Sequence, residues 1–409
     1  MNDFFSLFSD VFDIFGFLGK YFIFWSPFVL GLVVWKMWRK YLETRWLSRL
    51  NWVLLEIKLP KEIKRTPLAM EVVLSSLYQA SVGEWYERFV QGRVADWSSL
   101  EIVSIGGSVH FFIRVRDKYK DLLESQIYSQ YPEVEIYEAS DYSKYVDYHD
   151  DDSEWQLWGQ EYQFKKPDAY PIKTYIDFGI NKEGLKDEEK VDPMSATLEL
   201  MGSLRKNEQL WLQILIQPAK DRFHVPGTRS KKRNWRGEGE DLIEEIAKKR
   251  MEKSGIREGG TVMLNPVEDE VVKAIQRNIS KLGFDCGIRS IYWYKKGGDF
   301  NVSRIMGLLS LFNQYNSSTL NSFRPSWVTA FDFPWSDFKG MRVRERRRIL
   351  FNAYKRRSYF YSAPRKCKPL VLNSEELATI YHFPGQVVET PTFGRIESRK
   401  GEAPINLPI

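Results

Sequence analysis

Two segments concentrate arginine and lysine in a pattern that suits contact with phosphate groups. In the first, arginines surround an apolar stripe at helical spacing, which consists of Ile349, Leu350, Ala353 and Tyr354. The second, residues 229–236, reads RSKKRNWR and is expected in a loop. The basic residues of the two segments are Arg229, Lys231, Lys232, Arg233, Arg236, Arg342, Arg344, Arg346, Arg347, Arg348, Lys355, Arg356 and Arg357.

The partner of these basic residues has three interpretations. They could contact nucleic-acid phosphates, with Trp235 and Tyr354 stacking on bases. They could face the anionic headgroups of a membrane. They could also form a solvated helix face or meet an acidic protein, because a run of positive charge does not identify its counter-charge.

Signatures of common catalytic sites are missing from the sequence. We find no GxxxxGK[ST] phosphate loop, no GxGxxG after a predicted strand, and no HExxH or GxSxG. The four histidines stand singly, and Cys286 and Cys367 have neither zinc-site nor disulfide-framework spacing. We therefore expect no enzymatic activity, no cofactor and no metal. A hydrolase with scattered, unrecognised acidic residues is the alternative.

Two similar halves are predicted to position the basic segments. Residues 51–140 show the order β-α-β-β-α-β, with a helix beginning at Pro67 and a hairpin turning at Gly106-Gly107. Residues 170–335 repeat much of this pattern around a basic insertion at 219–262. The sequence therefore predicts an α+β protein with tandem ferredoxin-like (βαββαβ) units.

An acidic and aromatic segment, residues 141–169, is expected to be a linker, which places the first strand of the second half at 170–179. Its run Asp150-Asp151-Asp152 could bind a cation but lacks the spacing of a calcium loop, so a solvated linker is favoured.

The N-terminal segment, residues 1–50, contains an apolar stretch. No residue from Tyr21 to Trp35 is charged, and extension back to Ile14 gives about 20 residues, enough to cross a bilayer. The positive-inside rule then predicts a single transmembrane helix with the N-terminus outside and residues 39–409 in the cytosol. The flanking cations are Lys36, Arg39, Lys40, Arg45 and Arg49.

The last segment, residues 336–409, combines the basic helix with a short helix at 374–383 and a tail. Ser374 is the expected N-cap of the short helix, and Pro384-Gly385 is expected to end it. The tail contains Pro and Gly and is typical of a linker.

The apolar N-terminal stretch and five further segments, in this order, resemble the membrane-anchored, non-ATPase module that accompanies bacterial type IV secretion and conjugation-type ATPases of the HerA/FtsK kind. The five segments are LLEIKLPKEIKRTPLAMEVVLSSLY, DPMSATLELMGSLRKNEQLWLQILIQPAKDRF, RRRILFNAYKRRSYF, LNSEELATIYHFPG and ETPTFGRIESRKGEAPINLPI.

This resemblance implies a non-catalytic, membrane-anchored scaffold in the bacterial cytoplasmic membrane. Its partner would be a separate hexameric RecA-like ATPase that moves DNA or protein, and DNA and further copies of the chain are candidate partners. The alternatives are a membrane-anchored nucleic-acid-binding protein and a membrane-bound hydrolase. The residues expected to dock the partner are Glu375, Glu376, His382, Phe383, Pro384, Phe393, Ile405 and Leu407.

Overall fold

A computed structural model of the chain describes residues 22–180, 192–220, 235–254, 265–331 and 335–385. It also describes Lys20 and the strand residues 223–224 and 232–233. The residues not described within the longer ranges are 61–62, 64, 81–82, 298–299, 336, 362 and 366. The chain divides into two compact units, one of Met1–Leu50 with Ser81–Ala95 and one of Asn51–Ala80 with Asp96–Ile409.

The described residues form the following helices and strands. The helices are α1 (Phe22–Leu47), α2 (Pro67–Ser76), α3 (Trp85–Phe89), α4 (Lys120–Gln130), α5 (Met194–Gly202), α6 (Trp235–Ser254), α7 (Pro266–Ser280), α8 (Val302–Leu309), α9 (Met341–Lys355) and α10 (Ser374–Ile380). The strands are β1 (Trp52–Lys58), β2 (Ser98–Ile105), β3 (Ser108–Arg116), β4 (Glu135–Glu138), β5 (Trp155–Phe164), β6 (Glu208–Pro218), β7 (Phe223–His224), β8 (Lys232–Arg233), β9 (Gly283–Lys295), β10 (Phe323–Val328) and β11 (Leu370–Asn373). Short 3-10 helices lie at Asp117–Tyr119, Tyr142–Lys144, Asn313–Tyr315 and Phe338–Gly340.

Helix α1 contains the described part of the predicted membrane span. Among the described residues, no helix combines the length and the apolar character needed to cross a bilayer. This finding contradicts the predicted single-pass span and the cytosolic placement of residues 39–409 that depended on it. The physical reason is that charged residues, beginning with Lys36 and Arg39, occupy the second half of α1. Residues 14–19 and 21 of the predicted span lie outside the described residues.

Nine strands of the described residues form one antiparallel sheet in the larger unit. Eight of them have the order β10-β5-β9-β6-β2-β3-β1-β4, and β11 pairs with β9. Strands β2 and β6 join the two halves, in a register that runs from Ser98 opposite Ile216 to Ile105 opposite Gln209. The prediction of tandem ferredoxin-like units was therefore wrong. The strands β2 and β6, which would have been the free edges of two separate sheets, are buried along most of their length and pair with each other.

The strand order repeats across the junction. From the centre outward, β2-β3-β1-β4 in the first half corresponds to β6-β9-β5-β10 in the second. The first strand of the second half, however, is β5 at Trp155–Phe164, inside the predicted acidic linker, and the strand predicted at 170–179 is absent from this described region. The two halves thus have the same strand order within a single shared sheet.

Apolar side chains cover both faces of this sheet. On the first face, the core includes Met70 of α2, Leu123 of α4 and Leu377 of α10. On the second face, α9 and the segment at 142–148 contribute to a separate core cluster. Every residue of β6 is buried, which is the pattern of a strand covered on both faces.

Two glycines allow the side chains of Leu350 and Tyr359 to pack closely against the strands on the second face of the sheet. A Cβ at Gly159 would lie 2.4 Å from Leu350 Cδ2, and a Cβ at Gly287 would lie 2.5 Å from ring atoms of Tyr359. Both distances are shorter than van der Waals contact, so a larger residue at either position would displace the side chain that packs over it.

We expect Gly287→Ala to lower the free energy of unfolding by about 1–3 kcal/mol, because the added methyl group overpacks the site under Tyr359. Urea unfolding followed by tryptophan fluorescence measures this change. Gly31→Ala is the control, since a Cβ there meets no atom within 4 Å. A Gly287→Ala protein as stable as wild type would contradict the close packing.

Candidate functional site

Helix α9 carries the first basic cluster and packs on the second face of the sheet. The ring of Tyr354 lies 5.3 Å from that of Trp211, and the ring of Phe351 lies 4.9 Å from that of Trp293. Tyr354 is fully buried, and Trp235 is only 2% exposed. The two aromatic rings predicted to stack on bases are therefore core residues.

Arg357, at the end of α9, forms a buried ion-pair cluster with two carboxylates. Its Nε and Nη2 donate to the two oxygens of Glu101 at 3.0 and 3.1 Å. Nη2 also donates to Asp141 Oδ1 at 2.9 Å, and Nη1 contacts Asp141 Oδ2. The side chains of Arg357 and Glu101 are 1% and 0% exposed. Arg357 has a φ of 49°, a left-handed conformation that a non-glycine residue adopts only at a cost.

Further donors complete the environment of the Glu101 carboxylate. Ser99 Oγ donates to Oε1 at 2.6 Å, and Gln213 Nε2 donates to the same oxygen at 2.8 Å. Tyr142 donates its hydroxyl to Oε2 at 2.7 Å. Because that proton is used, the 2.7 Å contact between Tyr142 and Tyr354 requires Tyr354 to be the donor. The carboxylate therefore has donors on both oxygens and is closed off from solvent.

The ionisation of Glu101 follows from these contacts. Burial alone would raise the pKa of its carboxyl group, but the charge and hydrogen bonds of Arg357, together with those of Ser99 and Tyr142, lower it below the ordinary value. Burial likewise opposes the charge on Arg357, whose pKa is nevertheless raised by Glu101 and Asp141. The pair is therefore ionised at neutral pH.

The acidic segment, residues 141–169, supplies counter-charges to basic residues in the turns of α9 that precede Arg357. Asp151 lies 3.5 Å from Arg344 and 3.6 Å from Arg347. Asp147 lies 3.9 Å from Lys355. The segment predicted as a solvated linker therefore neutralises part of the predicted phosphate-binding helix.

The remaining basic residues of this cluster differ in exposure. Arg346 donates to the Val328 carbonyl oxygen at 2.9 Å and stacks on Phe331, 3.9 Å from the ring centroid. Arg348 is 58% exposed, and its ion pair is with Glu345, one turn away. Arg342 and Arg356 are also exposed. The exposed positive charge of α9 is therefore smaller than its sequence suggests.

The second basic cluster lies largely outside the described side chains. Arg229 and Lys231 are outside the described residues, and for Lys232 and Arg233 only the backbone pairing of β8 with β7 is described. Arg236 Nη2 donates to the carbonyl oxygen of Lys281 at 2.9 Å. The two basic clusters are not brought together by the described contacts.

The residues predicted to dock a partner are mostly buried. Helix α10 is buried along its whole length, and its N-cap is Asn373 rather than Ser374, with Asn373 Oδ1 accepting the Glu376 N–H at 2.7 Å. Glu375 lies 3.2 Å from Arg277. The other described docking residues, His382, Phe383 and Pro384, are buried too. These five side chains have no exposed surface for docking, while Phe393, Ile405 and Leu407 lie outside the described residues.

A row of polar residues crosses the centre of the sheet and was not predicted from the sequence. Cross-strand pairing aligns Glu101, Gln213, Arg289 and Glu161 on β2, β6, β9 and β5. All four are at most 4% exposed. Arg289 Nη2 donates to the Ser358 carbonyl oxygen at 3.0 Å, whereas its Nε and Nη1 have no hydrogen-bond partner among the described residues. The available signal was a polar residue within an otherwise apolar strand, as at Gln213 in WLQILI.

No group of three or more His, Cys, Asp or Glu side chains in the described part of the chain could hold a metal ion.

A family model matches residues 47–395 of the chain. The chain belongs to the family described as Domain of unknown function (DUF8128). The DUF8128 match contains the Glu101–Arg357 pair, helix α9 and helix α10. No curated protein matches the chain.

We expect Arg357→Met to lower the free energy of unfolding by about 3–5 kcal/mol, because Glu101 would remain buried without its cation. Urea unfolding measures the loss. Arg348→Met is the matched control, and its exposed side chain predicts a change within about 0.5 kcal/mol. Equal effects of the two substitutions would show that the buried pair contributes no more than a surface charge.

A second carboxyl group predicts a pH dependence. Burial raises the pKa of Glu376 to about 8, although its oxygens accept the backbone N–H groups of Asn373 and Ile172, each at 2.9 Å. Because the folded pKa lies above the unfolded one, folding takes up a proton, and stability falls as pH rises from about 5 to about 8.

We expect Glu376→Gln to reduce this fall by up to roughly 1.4 kcal/mol per pH unit. Urea unfolding at a series of pH values gives the slope, and Glu154→Gln, at a 70% exposed position, is the control. The same slope in wild type and Glu376→Gln would contradict the raised pKa.

Proposed function

We propose that the chain is a non-catalytic scaffold module whose partner is a separate ATPase of the type IV secretion or conjugation kind. The observation that carries the non-catalytic part is the closed Glu101–Arg357 cluster. The Glu101 carboxylate and the Arg357 guanidinium at the sheet centre bind each other, and further donors of the protein occupy the carboxylate oxygens, which leaves no open position for a substrate.

The internal charge pairing supports a scaffold over a nucleic-acid-binding protein. Asp151 and Asp147 occupy three of the basic side chains on α9, and the aromatic rings that would stack on bases are buried. Binding to nucleic acid through Arg344, Arg347 or Lys355 would have to compete with these pairs. A rigid sheet with both faces covered is suited to presenting fixed surfaces to a partner.

The ATPase partner rests on the resemblance of five ordered segments to the non-ATPase module of secretion systems. Four of these segments supply core elements, since they contain α2, α5 with β6, most of α9, and α10 with the end of β11. The residues that we assign to docking are Phe393, Ile405 and Leu407, because the other predicted docking residues are buried.

Affinity purification of the tagged full chain from its native host tests this proposal. We expect a RecA-like ATPase to co-purify with the full chain and to be lost when the chain ends at Gly385 or carries Phe393→Ala with Ile405→Ala and Leu407→Ala. Arg348→Ala is the control and should retain the ATPase. Absence of any ATPase from the full-chain sample would contradict the partnership, and its retention by the shortened chain would contradict the docking assignment.

A further inference from the structure

A charged groove lies where β5, β10 and β11 come together in the larger unit. Its volume is about 360 Å³, which is within the range of small-molecule sites. Its charged lining consists of Lys165, Lys166, Arg324, Lys368, Asp168 and Glu238. With four cations and two carboxylates, the lining carries excess positive charge.

Three of the four cations form no ion pair within the described part of the chain. Lys165, Arg324 and Lys368 are exposed, and their side chains make no hydrogen bond or ion pair with any described residue. Lys166 differs, because its Nζ donates to the carbonyl oxygen of Thr319 at 2.6 Å. The groove therefore presents three cationic groups that no described side chain pairs with.

Strand pairing fixes the positions of two polar residues that line the groove, Arg324 and Gln163. Arg324 and Gln163 are direct cross-strand partners on β10 and β5, so their side chains leave the same face of the sheet. The neighbouring pair, Phe323 and Phe164, packs on the opposite side with ring centroids 4.9 Å apart. A guanidinium fork beside an amide donor and two ammonium groups is a donor set that suits the oxygens of a phosphate.

The contrast with α9 indicates that this arrangement is not the general pattern of the surface. There, Arg344, Arg347 and Lys355 each lie within 4 Å of an aspartate. The groove has four cations and only two carboxylates, so its cations repel one another in part, and a bound anion would relieve that repulsion.

We propose that this groove binds a phosphate group, supplied as inorganic phosphate, as a nucleotide or by a nucleic-acid strand. The site is separate from the buried Glu101–Arg357 cluster and does not depend on the ATPase partnership. Phosphate oxygens would accept from Arg324, Lys165 and Lys368.

Titration of the full chain with three probes tests the proposal. The probes are inorganic phosphate and ATP, followed by calorimetry, and a fluorescent single-stranded 12-nucleotide DNA, followed by anisotropy at several salt concentrations. We expect the double variant Arg324→Ala with Lys368→Ala to bind about tenfold or more weakly than wild type to whichever probe wild type binds. Arg324→Lys should lose less, because it keeps the charge, and Arg348→Ala on α9 is the matched control outside the groove.

Each outcome decides the proposal. Binding of any one probe that is lost in the groove variant and kept in the control supports it, and the probe that binds identifies the source of the phosphate. If the DNA strand binds, removal of two phosphate contacts should also reduce the salt slope by about 1.4. Failure of all three probes to bind, or equal binding by wild type and the groove variant, would overturn it. Unchanged urea unfolding of the variant confirms that the fold is intact.

Discussion

The fold of the larger unit depends on one buried ion pair, between Arg357 and Glu101. The two residues are 256 positions apart in the chain, and their contact fixes the end of α9 over the strand at which the two halves join. A buried pair of this kind costs desolvation energy on both sides, which is offset only when the remaining donors and acceptors are also satisfied. Here Ser99, Tyr142 and Gln213 donate further hydrogen bonds to the Glu101 carboxylate.

Charge complementarity extends this constraint along the helix. Asp147 and Asp151 belong to the segment between the halves, and they meet the basic face of α9 while its apolar face covers Trp211 and Trp293. The apolar face of α9 packs on the sheet, and basic side chains of α9 form ion pairs with the acidic segment. The concentrated positive charge of α9 is thus partly paired within the fold, whereas Lys165, Arg324 and Lys368 form no ion pair with any residue that the structure describes.

Local features of the fold could be predicted from the sequence because they depend on neighbouring residues. Pro67 begins α2, and Gly106 and Gly107 adopt positive φ at the turn between β2 and β3. Non-local features could not be predicted. Nothing in the residues of β2 specifies β6 as its partner, and the acidity of residues 147–152 does not reveal that α9 lies opposite. The burial of α10 was missed for the same reason, since Glu375 and Glu376 look like surface residues until Arg277 and the backbone N–H of Ile172 are placed beside them.

Amide hydrogen exchange in wild type and Glu101→Gln tests the central claim most directly. The account predicts a selective loss of protection in α9, around Phe351 and Tyr354, while α2 on the other face of the sheet stays protected. Unchanged protection in α9, or an equal loss in α2 and α9, would contradict the role assigned to the buried pair.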